Sequence, residues 1–253
     1  MKIEWMLKVL QVAMLIAEAA FMAVLVFPWL GQRLQKNYIG FWSRRVLRVF
    51  GLTVVLKNPN NHPAQGGYCL VANHVSWIDI QVIHSVVPCR FVTTTEIQGW
   101  PIIGRMVRAS GALFIDLARI RSSTQQITRD MTSLLKRNEV IGFFPEATST
   151  DGVSMLPFKA NLFQAAVDTQ TSVYPMTLVY KDLQGQRSVA PGFHGEMTLF
   201  ECMANILRAA PLTVEVGFLP AVMPQAHRRG MSQACESAIR PIVEAPDPQS
   251  LSV

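Results

Sequence analysis

The chain has 253 residues, half of them hydrophobic and 16% charged, which allows one sizeable α/β domain with an appendage and excludes a disordered protein. Its net charge of +6 sits in residues 1–57, where eight basic residues face only Glu4 and Glu18; a basic region beside a long apolar run suits an anionic membrane surface, and no nucleic-acid module accompanies it. Cys69, Cys89, Cys202 and Cys235 form no Cys-x-x-Cys pair, so buried, reduced thiols and no metal site are expected.

Residues Val9 to Leu30 are almost continuously apolar, broken only by Gln11 and Glu18. As a helix they extend roughly 33 Å, about the thickness of a bilayer's hydrocarbon. Ala17-Glu18-Ala19 has the look of a signal-peptide cleavage site, but cleavage there would leave the greasy run Phe21 to Phe27 as a new terminus. Over 33–56, Ile39, Trp42, Val46, Val49 and Phe50 recur at helical spacing with Arg44, Arg45 and Arg48 opposite, and Pro28 and Gly31 mark the join. Residues 1–57 therefore read as membrane-binding helices. Two forms stay open: a spanning helix followed by an interfacial one, or a hairpin dipping into one leaflet. Two ordinary core helices are the soluble alternative. The five basic residues from Arg33 to Arg48 outnumber Lys2 and Lys8, placing the main domain on the cytoplasmic side of the inner membrane.

After the loop at 58–63, strands expected at 68–73, 90–94, 112–116, 139–144, 173–180 and 213–219 alternate with helices near 77–86, 100–109, 123–137, 158–168, 197–208 and 231–243. In the clearest helix, 123–137, Ile127, Met131, Leu134 and Leu135 line one face, with Ser122 and Gln125 as an N-terminal capping pair. This alternation predicts an α/β fold over 58–244, a mostly parallel mixed sheet flanked by helices, with a flexible tail at 245–253. Reactive residues then belong at strand ends and in the loops after them.

One such loop is Asn73-His74-Val75-Ser76-Trp77-Ile78-Asp79. A histidine with an aspartate five positions later is a candidate general base with its orienter. In a continuous helix the two side chains would lie roughly 140° apart. They can meet only if His74 precedes the helix and Asp79 lies in or near its first turn. Three further stretches fall at comparable places: Phe114-Ile115-Asp116, followed by Leu117, Ala118 and Arg119; Phe144-Pro145-Glu146-Ala147-Thr148; and Val173-Tyr174-Pro175. Each alone is bland, since a proline-containing strand end is more often a loop than a site.

In this order the four stretches resemble the motifs of the glycerolipid acyltransferases, the family of 1-acylglycerol-3-phosphate and related lysophospholipid acyltransferases, over roughly residues 50–220. The resemblance implies that His74 deprotonates a lysolipid hydroxyl, that Asp79 orients the imidazole, and that acyl-CoA or acyl carrier protein supplies the acyl group without a further cofactor or metal. It implies acceptor contacts by Asn73, Ser76, Phe114, Ile115, Asp116, Arg119, Glu146, Ala147, Thr148 and Pro175. The residues themselves point to a helix-capping role for Ser76, a loop-shaping one for Pro175 and a solvated Lys159. Two departures stand out. Leu117 replaces the arginine usual after Phe-Ile-Asp, leaving Arg119 and Arg121 beyond it, and Ala147 replaces the glycine of Phe-Pro-Glu-Gly-Thr. Such arginines suit a glycerol phosphate, so lyso-ornithine lipid, the acceptor in a bacterial branch with a similar 148–158 segment, is the alternative to lysophosphatidate. Alanine at 147 fits if that position needs no positive φ. A thioester hydrolase and a non-catalytic lipid-binding relative are the other classes to weigh; no Gly-x-Ser-x-Gly elbow supports a serine hydrolase.

Overall fold

The computed structural model describes residues 2–63, 66–100, 103–116 and 118–246. Its first helix, α1 (Lys2–Phe21), continues through a π-helical turn at Met22–Val26 and a 3-10 turn at Phe27–Trp29. Leu15, Ala19, Ala23 and Phe27, spaced four apart, are buried, whereas Leu7, Leu10, Met14, Phe21, Val24, Leu25 and Trp29 are exposed. An apolar segment therefore gives one stripe to the protein and leaves the rest uncovered.

Helix α2 (Gln32–Val49) packs beside α1. Arg45 and Tyr38 both bond the Glu18 carboxylate, Tyr38 at 3.0 Å, and the Trp42 indole donates to the Leu15 carbonyl at 3.2 Å. The helix expected over 33–56 stops at Val49, because Gly51 takes φ +70° and ends it. The β-branched run that follows becomes β1 (Leu52–Lys57). The sequence pattern predicts no strand here and extends the helical region over these residues.

The remaining elements alternate as expected: β2 (Tyr68–Ala72), α3 (Asp79–Val86), β3 (Arg90–Thr94), α4 (Ile103–Ala109), β4 (Leu113–Ile115), α5 (Ile120–Leu135), β5 (Val140–Phe143), α6 (Gln164–Thr169), β6 (Val173–Lys181), α7 (Leu199–Ala209), β7 (Leu212–Phe218) and α8 (Arg228–Val243). Helix α5 starts earlier than predicted, at Ile120. Ser122 is thus inside it, donating to the Arg119 carbonyl at 3.2 Å, and no side chain caps the helix. The capping box belongs instead to α7, between Thr198 and Glu201.

The seven strands lie in the order β1-β7-β6-β2-β5-β3-β4, all parallel except at the β6–β7 junction. Side-chain alternation divides two cores. Tyr68, Leu70 and Ala72 of β2 face the cluster under α2, α3 and α7, while Cys69 and Val71 face the one under α5, α6 and α8. On α8, Met231, Cys235, Ile239 and Val243 form the buried stripe. All four cysteines are free and buried. Strand β2 is buried along its whole length, as a central parallel strand must be, so the loop leaving its C-terminal end is anchored on both sides. Of the predicted tail, 247–253 lie outside the described residues.

Candidate active site

Strand β2 ends at Ala72 and α3 begins at Asp79, so the six residues between supply the break that the His74–Asp79 spacing requires. His74 Nδ1 lies 2.9 Å from Asp79 Oδ2. The same oxygen accepts the backbone N–H groups of Val75 (2.6 Å) and Ser76 (2.8 Å), and Oδ1 accepts the Tyr180 hydroxyl at 2.6 Å. Asp79 is fully buried. A buried carboxylate is tolerable only with such donors around it. With Nδ1–H donated to Asp79, Nε2 is left as the proton acceptor. The His74 ring stacks on Phe144, centroids 4.0 Å apart and planes 6° from parallel, and Phe144 in turn stacks on Phe91. The imidazole side chain keeps 19% exposure, whereas the Asp79 side chain has none.

The loop after β5 grips the His74 backbone. Glu146 Oε1 accepts the His74 N–H at 2.8 Å, and the Thr150 N–H donates to the His74 carbonyl at 2.9 Å. Glu146 Oε2 accepts from Leu156 at 2.8 Å, and the Lys159 N–H reaches the Pro145 carbonyl at 2.9 Å. Burial pushes the Glu146 carboxyl up to about 7 against the opposing effect of these N–H bonds. Both its oxygens accept backbone N–H groups and the residue is 1% exposed, so Glu146 ties the loop after β5 to the His74 backbone.

Several other sequence-derived contacts are relocated. The Asn73 carboxamide bonds both the carbonyl and the N–H of Leu178, at 2.9 and 2.8 Å, and is buried; it continues the β2–β6 ladder by one side chain. Ser76 does not cap α3. Its hydroxyl is buried 3.5 Å from the Cys202 sulfur, while its carbonyl accepts the Asp79 N–H. Pro175 lies inside β6, buried opposite Val71, rather than in a loop. Ala147 does take a positive φ, +64°, and is exposed, as are Thr148 and Lys159.

Phe114, Ile115 and Asp116 end β4, three strands from β2, about 14 Å across the sheet. Ile115 packs on the α5–α8 core, and Asp116 Oδ1 accepts the Ala118 N–H at 2.9 Å. Arg119 is exposed at the start of α5. These residues are on the same sheet edge as His74 but not beside it. Leu117 and the Arg121 side chain lie outside the described residues. Tyr180 and Thr150 escaped the sequence reading: only the pairing of β6 with β2 brings the tyrosine to Asp79. Among the described residues no three His, Cys, Asp or Glu side chains cluster to hold a metal.

The acyltransferase family model matches residues 53–179, from β1 to near the end of β6. A 1-acyl-sn-glycerol-3-phosphate acyltransferase of Neisseria gonorrhoeae is 34% identical over 72% of this chain and 71% of its own length. A lyso-ornithine lipid O-acyltransferase of Rhodobacter capsulatus is 32% identical over 70% of this chain and 66% of its own. The crystal structure of the 1-acyl-sn-glycerophosphate acyltransferase PlsC from Thermotoga maritima superposes with a TM-score of 0.62 at 16% identity, covering 94% of this chain and 95% of that one. The last match establishes a shared fold, and the first, with the family model, establishes descent. The chain belongs to the acyltransferase family and is an enzyme of that class.

Proposed function

We propose that the protein is a membrane-bound O-acyltransferase that moves a fatty acyl group from acyl-CoA or acyl carrier protein to the free hydroxyl of a lysolipid, with 1-acyl-sn-glycerol-3-phosphate as acceptor and phosphatidic acid as product. The observation that carries this reading is the buried Asp79 carboxylate on Nδ1 of a partly exposed His74. Nε2 takes the hydroxyl proton as the acceptor oxygen attacks the thioester carbonyl. Asp79 stabilises the imidazolium that forms, and the proton then passes to the departing thiolate as the C–S bond breaks. The acyl group moves directly between substrates, with no acyl-enzyme and no cofactor beyond the thioester.

The acceptor assignment is supported by the relatives at 34% identity that carry the name of a lysophosphatidate enzyme. A second reading, lyso-ornithine lipid as acceptor, is favoured by Leu117 where an arginine is usual and by relatives so named at 29–32% identity. The exposed apolar side of α1 supports attachment to the membrane. Its inward stripe on the domain and the Glu18 contacts to α2 favour a hairpin set into one leaflet over a free spanning helix. Under this reading the anionic inner face of the cytoplasmic membrane is the partner surface.

The deciding experiment gives the purified protein labelled acyl-CoA or acyl carrier protein with lysophosphatidate, lyso-ornithine lipid and other lysolipids. Labelled phosphatidic acid is expected. Free fatty acid without any acylated lipid would refute the transferase reading, and acylation of lyso-ornithine lipid alone would transfer the assignment to the second acceptor.

A further inference from the structure

Strand β6 is nine residues long and β2 only five. Their paired register ends at Ala72 opposite Met176, so β6 overruns its neighbour by the residues from Thr177 to Lys181. The overhang is not loose. Asn73 holds Leu178 by both backbone groups, and Leu178 to Lys181 pair with Val216 to Thr213 of β7. Two residues past Leu178, on the same face, Tyr180 meets Asp79 from the side opposite His74. Its ring is 3% exposed, within the core between the sheet and α7.

We infer that Tyr180 is a positioning residue of the His74–Asp79 pair, setting the plane and the basicity of the Asp79 carboxylate through its hydroxyl. The inference rests on the acyl-transfer reading above. Three donors converge on Oδ2, from His74 Nδ1, Val75 and Ser76, but Oδ1 has one, the Tyr180 hydroxyl. Without it the carboxylate can rotate about its last bond, and the negative charge shifts toward Oδ2. Burial and the adjacent Asp79 charge keep the phenol protonated far above the usual tyrosine range, so it acts as a donor throughout the working pH. Tyr180 touches neither reactant in this scheme and acts only through Asp79.

The test is Tyr180→Phe, read by thiol release from acyl-CoA across pH. Losing the donor makes Asp79 more basic and holds the imidazolium more tightly, so the acid limb of kcat/KM should move up by about half a pH unit. At neutral pH, kcat should fall about five- to tenfold with the donor KM unchanged. In an Asp79→Asn background the same substitution should leave the limb where it is. A 3-fluorotyrosine at 180, which keeps the shape but donates more strongly, should shift the limb downward and serves even where the phenylalanine variant folds poorly. Wild-type kcat and pH profile in both variants, whatever happens to Tm, would overturn the inference and leave the enzyme reading standing. No thiol release by the wild type would remove both.

Discussion

Glu146 and His74 are joined through the backbone: the carboxylate, fixed at its other oxygen by Leu156, accepts the histidine's own N–H at 2.8 Å. A motif residue expected at the acceptor thus stands behind the base. Its carboxyl is raised by burial to about 7 from 4.5. Between those values the native protein holds a proton that the unfolded chain has lost, so this group's contribution to stability falls as pH rises from about 4.5 to 7. The full span amounts to roughly 3 kcal/mol. Glu146→Gln removes the titration, and the fall in Tm between pH 5 and 7.5 should be distinctly shallower than in wild type. Parallel Tm curves for the two proteins would contradict the buried-tie assignment.

Ala147 follows at φ +64° and is exposed. An L side chain in this region costs about 1–2 kcal/mol, with no buried contact here to offset it. Ala147→Gly should relieve that strain, less the extra freedom glycine gives the unfolded chain. A net gain of about 1 kcal/mol is expected, seen in thermal melts as roughly 2–4 °C. An unchanged or lower Tm would mean that the loop is not held in this conformation.

Asp79 separates charge from geometry. In Asp79→Asn, the Val75 and Ser76 N–H groups select the amide oxygen at the Oδ2 position, turning the amide nitrogen toward Tyr180. The histidine tautomer survives, the negative charge is lost, and the Tyr180 hydroxyl has to accept from the amide where it donated to Oδ1. A drop in kcat of about a hundredfold to a thousandfold is expected with the fold intact. Asp79→Ala should also unfold more easily, by about 3–5 kcal/mol, because the donors around it are left buried without a partner. His74→Ala should abolish thiol release above background. Retention of more than a tenth of wild-type kcat by any of the three would exclude the proposed base.

The parallel sheet and the His74–Asp79 meeting were legible because apolar runs, their alternation with helices and the strand-to-helix break are local signals. Strand β1 was not, since Leu52 to Leu56 continue an apolar pattern and only Phe50 and Gly51 separate them from α2. The protein partners of Asn73, Ser76 and Glu146 were not legible for a different reason. A polar residue beside a histidine looks equally like a substrate contact and like a buried tie until its partners are known. Those partners, Leu178, Cys202 and Leu156, are 105, 126 and 10 residues away. Tyr180 carries no local signal at all, because its meaning depends on how far β6 overruns β2.

Arg119 tests the acceptor. It follows β4, the strand farthest along the sheet from β1, and stands at the start of α5 with its side chain exposed. The end of β4 is three strands from β2, about 14 Å across the sheet, so Arg119 is not beside the hydroxyl expected at His74. Arg119→Ala should raise KM for lysophosphatidate about tenfold and leave KM for acyl-CoA within twofold. Equal losses for donor and acceptor would remove Arg119 from the acceptor site.

The apolar side of α1 can be tested apart from catalysis. Leu10, Met14 and Leu25 are each more than half exposed, while Leu15 and Ala19 between them are buried. If the exposed side enters a leaflet, replacing Leu10 and Met14 by lysine removes two apolar groups, each contributing about 1.5–3 kcal/mol on full burial. Binding to vesicles containing phosphatidylglycerol, measured by flotation, should weaken at least a hundredfold. Leu183→Lys, at a turn after β6 with 73% exposure, is the control and should bind as wild type. The Glu18–Arg45 contact makes a further distinction: Arg45→Ala frees the hairpin from its clamp without touching the apolar side. That variant should still float with vesicles but lose thermal stability. Loss of flotation in Arg45→Ala with no change in Leu10→Lys/Met14→Lys would mean that cations, rather than the apolar face, hold the protein to lipid.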